Sequence, residues 1–122
     1  MKTLLTSIFF VIGSFILNAQ DGKTALCSSK ASLVKGVSSG IIEIKLHETI
    51  SKEDVEKYAS YYKNIFTVSF DEKSRLASIK MLQNTSANRM VIIRFLGANQ
   101  VQNVIVEGKL FTLNDFYENY LK

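Results

Sequence analysis

The first regular pattern of apolar and polar positions begins after Gly40. Alternating residues predict a strand with one buried face, on which lie Ile42, Ile44 and Leu46. Ser51 and Asp54 then form a capping pair at the start of a helix that we expect to reach about Asn64. The inward stripe of this helix recurs with helical spacing and comprises Val55, Tyr58, Ala59, Tyr62 and Ile65.

Two β-hairpins are predicted further along the chain. The first joins residues 66–70 to residues 77–81, since apolar and polar residues alternate in both segments and a polar turn lies between them. The second turns tightly at Glu107–Gly108, a dipeptide that suits a two-residue hairpin loop. Both hairpins are expected to have one buried face.

Two more helices are predicted. The first is expected to end at Asn99 in a left-handed conformation, and its three candidate caps are Asn84, Thr85 and Ser86. Its inward positions are predicted to be Ala87, Val91, Phe95 and Ala98. Further apolar residues surround this helix, so we expect it to have neighbours on more than one side. The last helix covers about residues 113–121 and begins with the capping pair Thr112 and Asp115.

The N-terminal segment has the pattern of a secretory signal peptide. Residues 1–19 combine one positive charge at Lys2 with a short apolar run that ends in a small residue, Ala19. The run is shorter than a membrane-spanning helix requires, so no membrane anchor is expected after cleavage. We therefore predict a periplasmic or extracellular protein. Residues 20–39 are small and polar without a sustained period, which predicts a flexible leader before a domain over 40–122.

Composition removes several classes of function. The formal net charge of +4 is small, and lysines are interleaved with acids, so no nucleic acid is expected as a partner. One histidine, His47, and one cysteine, Cys27, leave little for nucleophilic catalysis, and the chain is predicted not to be an enzyme. Cys27 cannot form an intramolecular disulfide but could pair with a cysteine of another chain.

The predicted elements from residue 40 to residue 106 follow the order strand, helix, strand, strand, helix, strand. This is the ferredoxin-like βαββαβ arrangement of an α+β sandwich, to which a C-terminal hairpin and helix are added. The spacing of the apolar residues resembles the heavy-metal-associated domain of metallochaperones and metal-transporting ATPases. The positions that match the core of that family are Val55, Ala59, Tyr62, Ile65, Val68, Phe70, Ala77 and Ile79.

The resemblance implies a metal-binding loop between the first strand and the first helix, where the family carries two cysteines. In this chain Glu48 and Ser51 stand at those two positions, so the thiolates that bind monovalent copper are absent. A non-standard site of His47 and Glu48, with Cys27 as a third ligand, could still hold a zinc or copper ion.

Two hypotheses of function follow. The first is an exported, non-enzymatic interaction module without a cofactor, whose unknown protein partner binds the loop of His47, Glu48, Thr49 and Ile50. A second surface for such a partner is the apolar area around Met90 and Ile93, if the last helix leaves it uncovered. The alternative hypothesis is a periplasmic heavy-metal carrier or sensor that uses the site around His47 and Glu48.

Overall fold

The computed structural model describes residues 22–122, so the predicted signal peptide over residues 1–19 lies outside the described residues. Residues 22–122 form a mixed α+β fold with one six-stranded sheet and four helices. In chain order the elements are β1 (Lys23–Cys27), α1 (Lys30–Ser39), β2 (Ile41–Lys45), α2 (Lys52–Ser60), β3 (Phe66–Asp71), β4 (Leu76–Met81), α3 (Ser86–Ala98), β5 (Val101–Val106), β6 (Lys109–Thr112) and α4 (Leu113–Phe116), which continues as a π-helical turn over Tyr117–Leu121.

The sheet has the strand order β3-β4-β2-β1-β5-β6, with β1 near its centre. β1 runs parallel to β5 and antiparallel to β2, and the other neighbouring strands are antiparallel. Leu26 of β1 lies opposite Lys45 of β2 on one side and opposite Ile105 of β5 on the other. Strand β1 therefore connects the two halves of the sheet.

The predicted flexible leader over residues 20–39 is wrong from Lys23 onward, because this segment contains β1 and α1. In β1 the smaller residues are buried and the larger one is exposed: Ala25 and Cys27 lie in the core, whereas Leu26 is exposed. Helix α1 begins where the Ser29 hydroxyl accepts the Ser32 backbone N–H, and it ends before Gly40, whose φ is 82°. Its buried stripe is too short to stand out from the serine-rich sequence around it.

The fold class α+β is confirmed, but the ferredoxin-like arrangement is not, because the sheet has six strands rather than four. The strands β3, β4 and β2 are neighbours in that order, and β5 is separated from β2 by β1. The spacing of apolar residues could not reveal this separation, since pattern identifies the elements and not their neighbours in the sheet.

Several local predictions are confirmed. The hydroxyls of Ser51 and Thr112 accept the backbone N–H groups of Asp54 and Asp115, and Thr85 is the cap of α3. The hairpin between β5 and β6 turns at Glu107 (φ 51°) and Gly108 (φ 80°), two left-handed residues typical of a tight hairpin turn.

The core lies between one face of the sheet and helices α1, α2, α3 and α4. Its largest fully buried side chains are Phe66, Phe95, Phe116, Leu33, Ile42, Ile44, Ile79, Ile92, Leu96 and Leu121. Helix α3 contacts both β5 and the C-terminal helix, as its apolar surface predicts. None of the helices within residues 22–122 combines the length and the apolar character needed to cross a bilayer.

Two details of α3 differ from the prediction. Ala87 is exposed and Arg89 is buried, so the buried stripe is rotated toward the C-terminal helix. The left-handed residue after the helix is Gln100, with a φ of 68°, whereas Asn99 has a φ of −85°. Helix α2 also ends earlier than expected, at Ser60.

Candidate functional site

The predicted interaction loop, residues 47–50, connects β2 to α2, and its polar groups form hydrogen bonds with one another. The Nδ1 atom of His47 lies 2.8 Å from Oγ1 of Thr49 and accepts the Thr49 backbone N–H at 3.2 Å. The side chain of Ile50 is buried in the core, while Glu48 and Thr49 are exposed. Only part of the predicted loop is therefore open to a partner.

Arg75, which the sequence did not single out, holds this loop in place. Its Nη2 donates to the backbone carbonyl of His47 at 2.8 Å and to that of Ile50. The guanidinium also lies over the ring of Phe70, 5.0 Å from the centroid. Arg75 has a φ of 63°, and the sequence signal for its role is weak because arginine is uncommon at such a position.

The structure does not assemble the metal site of His47, Glu48 and Cys27. No three side chains of His, Cys, Asp or Glu within residues 22–122 are grouped as they would need to be to hold a metal ion. β1 and β2 are antiparallel, and Leu26 lies opposite Lys45. Cys27 therefore lies one residue farther than Leu26 from the loop that follows β2. Along the strand direction, Cys27 and His47 are three residue steps apart, a distance of about 10 Å.

Cys27 is the free cysteine of the described chain, and its thiol lies in the core. Burial raises the pKa of Cys27 from 9.0 to about 12, because desolvation disfavours the thiolate. The thiolate is the reactive form of cysteine in metal binding and disulfide exchange. An intermolecular disulfide would require this side chain to leave the core.

The raised pKa of Cys27 predicts a loss of stability in alkaline solution. The native thiol stays neutral while the unfolded one ionises, so its contribution is complete below pH 9.0 and is lost as the pH rises toward about 12. We expect the free energy of unfolding to fall by about 1.4 kcal/mol for each pH unit in this range because of Cys27. Urea unfolding of the wild type and of Cys27→Ala at several pH values measures the difference. Parallel pH profiles of the two proteins would contradict the prediction.

A small cavity lies beside the loop, between Thr49, Asp54 and Asn99. Its volume is about 60 Å³, and the buried Oδ1 of Asn99 has no hydrogen-bond partner among the described residues. Such a volume is enough for a few water molecules. The cavity is too small to be the binding site of a larger partner.

The open face of the sheet, opposite the core, carries a different feature. The pairing of the strands places one residue from each of the six strands in a line across this face, because directly opposite residues share a face of a sheet. At the β3 end the line begins with Asp71, which lies opposite Leu76. We call the part from β4 to β6 the transverse row; it consists of Leu76, Lys45, Leu26, Ile105 and Leu110. At about 4.8 Å between strands, the row spans about 19 Å.

The transverse row is apolar except at Lys45. Leu26 is 41 % exposed and Leu110 is 58 % exposed, while Leu76 and Ile105 are half-buried. A groove of about 410 Å³ lies along the centre of the row. Its lining residues are Leu26, Cys27, Ser28, Glu43, Lys45, Leu76, Ile105, Glu107 and Gly108.

The charges around the groove leave Lys45 without an acidic partner. A carboxylate oxygen of Glu107 accepts the backbone N–H of Lys30 at 2.8 Å, and a carboxylate oxygen of Glu43 accepts the hydroxyl of Ser78 at 3.3 Å. Within residues 22–122 the ion pair found is between Lys122 and Glu118, at the end of the chain. Lys45 therefore makes no ion pair in this part of the chain, and it shares the groove with the carboxylates of Glu43 and Glu107.

The pattern of apolar and polar residues along the chain does not indicate the transverse row. The row becomes visible only when β1 is recognised as a strand, since Leu26 connects the half on β4 and β2 to the half on β5 and β6. The available signal was Leu26 between the smaller residues Ala25 and Cys27. The other predicted surface is less open, because Met90 and Ile93 are half-buried against the core.

A comparison with protein-family models, with curated proteins and with solved structures found no significant match to this chain. Function therefore has to be inferred from the residues and their arrangement.

Proposed function

We propose that this chain is an exported, non-enzymatic binding module and that the transverse row is its binding surface. The observation that carries the proposal is the alignment of four exposed or half-buried apolar residues from four strands on the open face. Apolar side chains scattered singly over a surface need no explanation, whereas a contiguous apolar patch is typical of an interaction site. In a periplasmic or extracellular protein such a patch is stabilised when a partner covers it.

The shape and charge of the row indicate a protein partner with an amphipathic segment. The row is about 19 Å wide and shallow, which matches the length of about 13 residues of an α-helix. A helix that lies across a sheet face contacts it through apolar residues spaced three or four apart. Lys45, at the second position of the row, favours an acidic residue within that apolar stripe.

The non-enzymatic character is supported by the surroundings of His47. Its Nδ1 is hydrogen-bonded to Thr49, and Ser51, four residues later in the chain, accepts the backbone N–H of Asp54 as a helix cap. A nucleophilic site needs a histidine held between a hydroxyl or thiol and a carboxylate. The hydrogen bonds of the loop serve the turn and the helix start instead.

The proposal includes an origin for the central part of the fold. Residues 40–106 are a degenerate unit of the ferredoxin-like, heavy-metal-associated type, opened between β2 and β5 to admit β1. The order of elements from β2 to β5 and the adjacency of β3, β4 and β2 support this origin. The loss of both thiolates, with Glu48 and Ser51 in their places, supports a change from metal transfer to protein binding.

Site-specific photo-crosslinking in the exporting cell tests the proposed surface. A photoreactive residue at position 26 is expected to give a discrete protein adduct, because Leu26 is at the centre of the row. Position 49 in the loop reports on the competing surface, and position 34 is the control, because Val34 is 68 % exposed but lies outside the row. An adduct that forms at position 49 and not at position 26 would reject the row as the binding surface.

The charge of Lys45 provides a second readout with the same partner. Lys45→Glu is expected to reduce the adduct at position 26 by at least about fivefold, because a like charge then faces the acidic residue of the partner. The matched control is Lys80→Glu, which changes an exposed lysine of the open face outside the row. An equal loss in both variants would indicate a general effect of net charge.

A further inference from the structure

The sheet ends in two strands, β3 and β6, and their outer edges differ. β6 has four residues, Lys109–Thr112, and Thr112 already serves as the cap of α4. β3 has six residues, Phe66–Asp71, and pairs with β4 without a register shift. An unpaired strand edge of this length presents a row of backbone donors and acceptors to another chain.

The hydrogen bonds of the β3–β4 pair show which residues of β3 point outward. The backbone N–H of Leu82 donates to the carbonyl of Ile65 at 3.0 Å, so the pair of residues 65 and 82 is hydrogen-bonded. Hydrogen-bonded and non-hydrogen-bonded pairs alternate in an antiparallel ladder. Residues 67, 69 and 71 therefore face β4, and the backbone groups of Phe66, Val68 and Phe70 face the outer edge.

Two of these three residues have free backbone groups. The N–H of Phe66 donates to the carbonyl of Tyr62 at 3.1 Å. In the part of the chain that the structure describes, the N–H and C=O groups of Val68 and Phe70 have no backbone or side-chain partner. Their side chains are half-buried. This edge therefore offers two donors, two acceptors and two apolar side chains at alternate positions.

β3 has none of the sequence features that usually prevent an exposed edge strand from pairing with another chain. The chain contains no proline, the β3–β4 register is regular, and the charged residue of β3 is at its end, Asp71. Natural sheets protect exposed edges with proline, bulges or charges in the middle of the strand. Thr67 and Ser69, on the open face of β3, are small and uncharged.

We propose that β3 is the interface with a second copy of this chain, paired antiparallel about Ser69. In this register Val68 and Phe70 of one copy face Phe70 and Val68 of the other, and their free N–H and C=O groups form four hydrogen bonds. Aromatic and β-branched residues are favourable cross-strand partners. On the open face, Ser69 meets its own copy and Thr67 meets Asp71, so no like charges are directly opposite.

This interface gives the second copy a defined orientation. A two-fold axis between two antiparallel edge strands is perpendicular to the sheet, so the two six-stranded sheets become one sheet of twelve strands. The open faces of both copies then lie on the same side. A dimer of this kind presents two transverse rows to one partner surface, and the two rows bind with an increased effective concentration.

The oligomeric state of the purified mature chain tests the interface. An edge-strand contact is smaller than a stable interface of about 1,200 Å² or more, so we expect a reversible equilibrium within about 10 µM to 1 mM protein. Sedimentation equilibrium of the wild type over this range is expected to show monomer and dimer. A wild type that stays monomeric at the highest concentration would overturn the proposal.

Charge substitutions at Ser69 test the register. Ser69 is exposed, so Ser69→Lys and Ser69→Glu are each expected to fold normally and to weaken the dimer at least about tenfold, because like charges meet at the axis. An equimolar mixture is expected to dimerise again as a mixed pair with opposite charges. The control is Gln102→Lys, which adds the same charge to an exposed position of β5, away from the edge.

Each outcome of the substitutions is decisive. Dimers of Ser69→Lys and Ser69→Glu as tight as the wild type would overturn pairing about Ser69. Loss of dimer in both variants without recovery in the mixture would overturn it as well, since the charges would then act through something other than their contact. The result is independent of the transverse row, because oligomeric state is measured without a binding partner.

Discussion

Arg89→Met is expected to lower the free energy of unfolding by about 3 kcal/mol, because it leaves one buried and two partly buried acceptors without their donor. The Arg89 side chain is only 7 % exposed. Its Nε donates to the carbonyl of Leu121, and its Nη2 donates to the carbonyl of Lys122 at 3.1 Å. Its Nη1 donates to Oδ1 of Asn84 at 2.6 Å.

The position of these bonds explains the size of the effect. Arg89 connects the first turns of α3 to the end of the π-helical turn, where backbone carbonyls have no partner within the helix. The same turn contributes the buried Tyr117 and Leu121 to the core. When the arginine is removed, the C-terminal helix loses the side chain that attaches its last residues to α3.

Arg89→Lys tests whether the shape of the guanidinium group, rather than its positive charge, is responsible for the stabilisation. An ammonium group keeps the positive charge but has no planar fork, so it cannot reach the three acceptors together. We therefore expect Arg89→Lys to be destabilised by about 2 kcal/mol. The matched control is Arg94→Met, an exposed arginine of the same helix, for which a change within about 0.5 kcal/mol is expected.

Denaturant unfolding with hydrogen exchange measures both the total and the local effect. Backbone amides of residues 113–122 are expected to lose protection first in Arg89→Met, since their helix is the one released. A free energy of unfolding within about 1 kcal/mol of the wild type would show that Arg89 is not the anchor of this helix.

Arg89 also shows where prediction from the sequence ends. Helix α3, its cap and its crowded surroundings were predicted from the apolar residues around it. The burial of an arginine was not, because a charged residue is expected outside unless its partners are known. These partners are two carbonyls more than thirty residues away, and no local pattern indicates them.

The caps at Ser51 and Thr112 and the turn at Glu107 and Gly108 were predicted correctly because their causes are local. The hydroxyls of Ser51 and Thr112 accept backbone N–H groups only three residues later in the chain, and the turn at Glu107 and Gly108 depends on two adjacent residues. The transverse row has a non-local cause, since Leu26 must lie between β2 and β5 before the row exists. The candidate site was missed for the same reason as the topology of the sheet.

Helix α1 depends on a close approach to β2 that only glycine allows. A Cβ atom at Gly36 would lie 2.8 Å from the backbone carbonyl oxygen of Ile41 and 3.4 Å from Cα of Ile42. Cβ atoms in proteins essentially never lie closer than 3.0 Å to such an atom, so the distance of 2.8 Å is too short. Because the contact is with the backbone of a central strand, neither side can move cheaply.

Gly36→Ala is therefore expected to destabilise the protein by about 1–3 kcal/mol through overpacking, even though alanine favours a helix. Gly97→Ala is the matched control, because Gly97 also lies in a helix but a Cβ atom there would meet nothing within 4 Å. For Gly97→Ala we expect a gain of up to about 1 kcal/mol from helix propensity alone. Chemical denaturation of the two variants beside the wild type measures the opposite signs.

The pair of substitutions also decides between two descriptions of the N-terminal segment. In a flexible leader, glycine and alanine at position 36 would differ little in their effect on the folded domain, since no contact would form. In the structure, α1 packs against β2, so alanine at this position separates the helix from the strand. Equal stability of Gly36→Ala and the wild type would therefore mean that residues 30–39 do not pack as α1, and a loss in Gly36→Ala with a gain in Gly97→Ala would establish that they do.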